Sequence, residues 1–240
     1  EDIREMYNKQ GSMYKPFDVI DKYTQGIIPM VYMICAYSNV GKSAFSYAYV
    51  CDLLKKGKKV VFFSLEVTKV LMTNIIRCYY NKNQQEIMNP DFYFEMDFEN
   101  LKVYDDKKKL EDIKNTTRAE KPDVVFIDFV QNIESLGKSE YENMTTCKEI
   151  QALAIETNAT IFNISQVSNE SRYKTDSMQP KSQLFFSSDV IVLYKDNMYA
   201  HLMKNKFPND KKFLVNPDFA KLQFKVVEDF DNSNNNDLKL

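Results

Sequence analysis

Apolar positions along this chain fall into two patterns: short continuous runs, and longer stretches in which they recur every third or fourth residue. VYMICA (31–36), bounded by Pro29, is a continuous run and predicts a buried strand. Residues 42–56 then carry apolar side chains at helical spacing and stop at Gly57, the residue type favoured just past a helix end. The alternation repeats with KVVFFSL (59–65) as strand, 68–82 as helix, LKVY (101–104) as strand and 107–120 as a charged helix. DVVFIDF (123–129) has the near-unbroken apolar character of a central parallel strand, 141–157 reads as helix, and ATIFNIS (159–165) as a further buried strand. Strands alternating with helices of this length predict an α/β fold with a mostly parallel sheet covered on both faces, in which KVVFFSL neighbours the loop strand VYMICA. Toward the carboxyl end DVIVLY (189–194), MYAHLMK (198–204) and AKLQFKV (220–226) follow one another without helical spacing and predict an antiparallel extension.

The 240 residues suit one large domain, set at 14–230 between a linker or lead helix (1–13) and a tail, DNSNNNDLKL (231–240), too polar to fold. A net charge of -2 gives no global attraction to nucleic acid, so any polyanion site is a local patch. Cys35, Cys51, Cys78 and Cys147 are widely spaced and His201 is the one histidine, which suggests neither a zinc site nor a disulfide framework and fits a reducing cytoplasm. The charged amino end and the lack of an apolar run near ~18 residues predict a soluble chain with no membrane partner. Because the sequence starts at Glu1 without Met, a piece of a longer protein with a further domain upstream is an open reading.

Chemistry concentrates where the first predicted strand meets the first predicted helix. AYSNVGKS (36–43) matches the phosphate-loop pattern G-x-x-x-x-G-K-[ST] at Gly41, Lys42 and Ser43, with Ala36 in place of the first glycine. Backbone N–H groups of Ala36, Tyr37, Ser38, Asn39, Val40 and Gly41 would cradle phosphates at a helix start, Lys42 would pair with the β and γ phosphates, and Ser43 would ligate Mg2+. A chance GKS at a helix start is the competing reading. Asp128, ending the strand DVVFIDF, argues against chance by placing a carboxylate beside the metal. Glu66, just after KVVFFSL, reads either as a base that polarises an attacking water or as an acid stabilised by the next helix. Gln166, after ATIFNIS, is either a γ-phosphate contact or a plain loop residue.

In order, these segments resemble the RecA-like ATPase domain of DnaB-type replicative helicases. PFDVIDKYTQGI (16–27) resembles the family's lead-in, and AYSNVGKSAF resembles a phosphate loop that in this family often begins with Ala. FFSLEVT (62–68) is similar to the family's SLEM segment, DVVFIDFVQNI (123–133) to IDYLQLM, ISQVSNESR (164–172) to LSQLNR, and SSDVIVLYKD (187–196) to ADVVLFLYRD. The resemblance spans roughly residues 14–228. It implies a RecA-like P-loop fold that binds ATP and Mg2+, with Lys42 and Ser43 on phosphate and metal, Glu66 as catalytic base, Asp128 as the Walker B acid and Gln166 as γ-phosphate sensor. It also implies a homo-oligomeric ring, a hexamer in this family, acting on single-stranded DNA with other replication proteins.

Two departures bear on motor action. The family's K-x-R pair, whose arginine reaches the neighbouring subunit's nucleotide, is here Lys204, Asn205 and Lys206, and a lysine point charge is no planar guanidinium fork. The glycine-rich stretch before the ADVVLFLYRD strand is here PKSQLFF (180–186), without glycine. DNA contact is expected from the loops after Asp128 and Gln166, through Lys138, Arg172, Lys174 and Lys181, each of which reads equally as a solvated surface cation. The tyrosines and phenylalanines read as core. An ATP-driven helicase motor is the leading reading. Its alternative is a degenerate RecA-like ATPase that binds nucleotide and replication partners without unwinding; a recombinase-like or clock-type ATPase of the same fold is a third.

Overall fold

Continuous apolar runs become strands here because both of their faces are covered. The structure is a computed structural model that describes residues 29–36, 41–81, 99–136, 139–166, 189–194, 199–204, 211–218 and 223–229. Every residue of β1 (Val31–Ala36), β2 (Val60–Ser64) and β4 (Val124–Asp128) is buried, as is β5 (Thr160–Gln166) up to its last residue. β3 (Leu101–Tyr104) alternates buried and exposed instead, because it forms the edge of the sheet. Between these strands run α1 (Lys42–Lys55), α2 (Lys69–Asn81), α3 (Leu110–Glu120) and α4 (Glu140–Thr157), and a 3-10 turn, Val130–Asn132, follows β4. No helix among the described residues is long and apolar enough to cross a membrane.

Helix ends follow local chemistry. Ser139 caps α4, its Oγ accepting from the Glu142 amide at 3.2 Å and donating to Glu142 Oε2 at 2.9 Å. Gly57 ends α1 in the left-handed region (φ +70°), and a Cβ there would meet nothing within 4 Å. Gly57→Ala is therefore expected to cost about 1 kcal/mol through backbone strain alone, readable as a small shift in a denaturant midpoint; a loss of several kcal/mol would point to crowding instead.

The strands make one nine-stranded sheet in the order β3-β2-β4-β5-β1-β6-β7-β8-β9, with β6 (Asp189–Tyr194), β7 (Tyr199–Lys204), β8 (Lys211–Asp218) and β9 (Gln223–Asp229) completing it. Three expectations need correction. β2 does not neighbour β1, because the crossover through α1 skips two positions that β4 and β5 later fill. DVIVLY pairs parallel with β1, and the antiparallel extension begins only at β7; β5 and β6 flank β1 and run parallel, and parallel strands need a connection of about a dozen residues or more, a length that 167–188 exceeds. β8 escapes a reading by apolar pattern, since KKFLVNPD opens on two lysines and holds Pro217, a residue that argues against a strand. The lead segment 1–13 and the tail 231–240 lie outside the described residues.

Period-two alternation sorts the parallel strands into two cores. Phe62, Phe126, Phe162 and Ile34 face α1 and α2, against Phe45, Leu53, Met72 and Ile76. Met33, Val125, Ile127 and Ile161 face α3 and α4, against Ile113, Ile150 and Leu153. On the first face Tyr32, Phe162, Phe126 and Phe62 share one register level across β1, β5, β4 and β2. Their rings stack in a row with centroids 5.3, 4.9 and 5.5 Å apart. This row is the platform on which α1 sits, through Tyr47 and Tyr49.

Candidate functional site

The carboxyl ends of β1, β5, β4 and β2 lie along one edge of the sheet, the edge at which open α/β sheets take ligands. Register sets Ala36 beside Gln166, and Asp128 between Ser64 and Ile164. By alternation Asp128 follows Phe126, and Gln166 follows Phe162 and Ile164, so both side chains belong to the α1 face. Tyr37, Ser38, Asn39 and Val40 lie outside the described residues. The chain resumes at Gly41, which enters α1 as its N-cap with φ 99°, a conformation that gives the glycine of GKS a backbone reason. Among the described residues no side chain caps this helix start, and no acid occupies its first turn, which suits its positive end to an anion.

The first helical turn brings Lys42 and Ser43 to Asp128. Lys42 is largely buried, with Nζ 5.6 Å from the centroid of the Phe129 ring. Asp128 is 3 % exposed, and its Oδ1 has no hydrogen-bond partner among the described residues. Burial pushes its carboxyl up to about 6; the Lys42 charge and a hydrogen bond donated by the Ser43 hydroxyl oppose that, and the negative charge of Glu66 adds to it. A buried carboxylate with one open oxygen beside a hydroxyl suits a hard divalent cation, since Mg2+ is usually held by one or two carboxylates together with substrate phosphates. Ser43 and Asp128 are the residues that would hold it. Among the described residues no group of three or more His, Cys, Asp or Glu side chains forms a larger metal cage.

Glu66 sits exposed just past the end of β2, close enough for Asp128 to feel its charge. Other groups bond the amides at the start of the next helix, α2. The Thr68 Oγ1 accepts from the Leu71 amide at 3.4 Å, the Asp105 carboxylate accepts from the Lys69 amide at 2.7 Å, and the first turn of α2 contains no acid.

Two neighbours not singled out from the sequence lie in the 3-10 turn after Asp128: Gln131, which stands where the IDYLQLM segment has its glutamine, and Asn132, which matches no motif. Gln131 Nε2 donates to Ser165 Oγ at 2.7 Å and to the Gln166 carbonyl at 3.0 Å. Asn132 Nδ2 donates to the Leu65 carbonyl at 3.1 Å. The signal present in the sequence was the glutamine of the IDYLQLM-like segment, three residues past Asp128, with a second amide beside it.

Lys204 is not part of this cluster. It ends β7 opposite Val190, and Val190 is level with Met33, three residues before Ala36 along β1. At about 3.3 Å per residue that sets Lys204 roughly 10 Å back from the ligand edge. Lys206, Lys138, Arg172, Lys174 and Lys181 lie outside the described residues.

Among comparisons with known proteins, one shows the family and others share the fold. The sequence matches the DnaB-like helicase C-terminal domain over residues 13–216. No curated protein matches the chain. Among solved structures it is similar to an ATPase domain, with a TM-score of 0.77 at 18% identity over 94% of this chain and 95% of that one. It is also similar to a DnaB-like replicative helicase studied for its interactions with primase, with a TM-score of 0.75 at 18% identity over 90% of this chain and 63% of that one. A KaiC-like protein, PH0186 from the archaeon Pyrococcus horikoshii OT3, gives a TM-score of 0.62 at 12% identity over 87% of this chain and 94% of that one. The match covers well over half of the sequence and the architecture is that of a RecA-like P-loop ATPase, so the chain belongs to the DnaB-like helicase C-terminal domain family.

Proposed function

We propose that this chain is the ATP-hydrolysing motor domain of a DnaB-like helicase, acting on single-stranded DNA in replication as a homo-oligomeric ring. The observation that carries the reading is the open Oδ1 of buried Asp128 beside Lys42 and Ser43 at an uncapped helix start. In this reading the backbone of 36–41 and the Lys42 ammonium bind the phosphates of ATP, and Mg2+, held by Ser43 and Asp128, neutralises phosphate charge when bound. Glu66 takes the proton of the attacking water, and its exposure at the strand end leaves it free to meet that water. Gln166 contacts the γ-phosphate from β5, beside the start of the loop at Ala36. Lys204 and Lys206 act on a neighbouring subunit's nucleotide, which is supported by the distance of Lys204 from the site of its own chain. Lys138, Arg172, Lys174 and Lys181, which follow Asp128 and Gln166 in the sequence, contact the DNA backbone.

Strand displacement and DNA-stimulated ATP hydrolysis, measured with and without Lys42→Ala, test this directly. Both rates are expected to fall about 100-fold in the variant, as when a phosphate clamp is lost. The lysines at 204 and 206 in place of a family arginine favour one alternative, a domain that binds nucleotide and replication partners without unwinding. Tight ATP binding with neither turnover nor displacement would select that alternative.

A further inference from the structure

The residues that flank the site come from three neighbouring strands: Glu66 after β2, Asp128 at the end of β4 and Gln166 at the end of β5. Nothing in the sheet ladder itself fixes how far each strand end projects once pairing stops. The turn after Asp128 does. Gln131 reaches sideways to β5, bonding Ser165 Oγ and the Gln166 carbonyl, while Asn132 reaches the other way to the Leu65 carbonyl, one residue before Glu66. The Leu65 amide closes the same side by donating to the Asp128 carbonyl at 2.7 Å. Val130 and Ile133, both fully or almost fully buried, anchor the turn beneath. The amide of Gln131 has one orientation open to it, because its oxygen would face the Gln166 carbonyl if flipped.

The brace grips from the side away from the nucleotide face. Ser165 lies one residue out of phase with Ile164 and Gln166, on the face that α4 covers. Gln131 therefore acts on Gln166 through its backbone and through Ser165, leaving the Gln166 side chain free on the α1 face. We infer that Gln131 and Asn132 are positioning residues, a crossbar that holds the ends of β2, β4 and β5 in one arrangement and so couples the placement of Gln166 to that of Glu66. The inference rests on the proposed ATPase site and adds to it the residues that set its geometry. It also gives the site a mechanical link: a shift of the Gln166 backbone pulls on the turn that holds Leu65 and the start of the Glu66 segment.

Gln131→Met tests this with little disturbance of the fold, since the buried Gln131 Oε1 has no partner among the described residues and its removal offsets part of the loss of the two donated bonds. The variant is expected to lower kcat about tenfold and to shrink the preference for a non-hydrolysable ATP analogue over ADP several-fold, with KM and thermal midpoint close to wild type. Asn132→Asp, which turns an acceptor toward the Leu65 carbonyl, is expected to lower kcat likewise. In a Gln166→Ala background Gln131→Met is expected to change kcat less than twofold, because both act at one place. A purely structural role predicts instead a lowered midpoint and an independent, multiplicative loss of kcat in the double variant. An unchanged kcat and an unchanged analogue preference in Gln131→Met overturn the crossbar while leaving the ATPase reading intact. A wild-type chain that binds neither nucleotide overturns both. If the wild type binds without hydrolysing, the analogue-to-ADP ratio alone decides.

Discussion

Asp128→Asn is expected to melt at a higher temperature than the wild-type chain at pH 7 without nucleotide, while its ATP turnover falls at least about 100-fold. The opposite signs share one cause. Burial holds the Asp128 carboxyl at about 6 against an ordinary value of 3.8, so the folded chain binds its proton more tightly than the unfolded chain does. Between those two values the native state carries the extra proton, and stability falls as pH rises through the window. Above about 6 the buried charge costs the fold roughly 3 kcal/mol at most, at 1.36 kcal/mol per pK unit. Asparagine keeps the shape and removes that charge. The gain in midpoint is expected to be largest at pH 7 and to vanish near pH 4, where wild-type Asp128 is neutral as well. Magnesium with nucleotide reverses the order, because the cation recovers the cost of the ionised carboxylate and asparagine offers it no charge. A variant that melts lower at pH 7, by an amount independent of pH, would show that Asp128 is held by something other than its burial beside Lys42 and Ser43.

Phe126→Ala is expected to destabilise the chain by about 3–5 kcal/mol, the loss typical of a fully buried phenylalanine. Its ring lies between Phe162, with centroids 4.9 Å apart, and Phe62, 5.5 Å apart, and meets Tyr49 of α1 edge-on at 6.2 Å. Removing it opens a void in the middle of the row and withdraws support from the helix that carries Lys42 and Ser43. Against a typical total stability of about 5–15 kcal/mol, such a loss leaves a marginal fold. Urea denaturation of both chains measures it, and nucleotide affinity measured well below the midpoint is expected to weaken along with stability. A cost under about 1 kcal/mol would mean that α1 and its neighbours collapse into the space.

The elements carrying the site were legible because their signals are local. VYMICA, KVVFFSL, DVVFIDF and ATIFNIS are buried on both faces, so each reads as apolar without interruption, and the structure places each as a strand within a residue or two. Gly57 and the GKS start mark the two ends of α1 for the same reason: φ is positive at Gly57 and at Gly41, whatever packs around them. The phosphate-loop pattern at Gly41, Lys42 and Ser43 and the acid at Asp128 are likewise local strings, and with FFSLEVT, ISQVSNESR and SSDVIVLYKD in order they point to the family.

What the sequence did not contain is pairing order and reach. That β4 and β5 come between β1 and β2, and that β6 runs parallel to β1, depends on crossovers whose direction is set by packing on the finished sheet. Gln131 sits in the segment that resembles IDYLQLM and Asn132 matches no motif, but neither string shows a role; their bonds to β5 and β2 exist only once three strands lie side by side. The raised pKa of Asp128 likewise arises when α1, β4 and the Glu66 segment converge and exclude water, since a carboxyl in the free chain has no cause to depart from its ordinary value. Thus the sequence alone determined which segments are strands and helices and which residues are candidates for chemistry, through burial periodicity and backbone preference. Tertiary structure alone decided which of those candidates meet, because contact between distant segments is a property of the packed sheet.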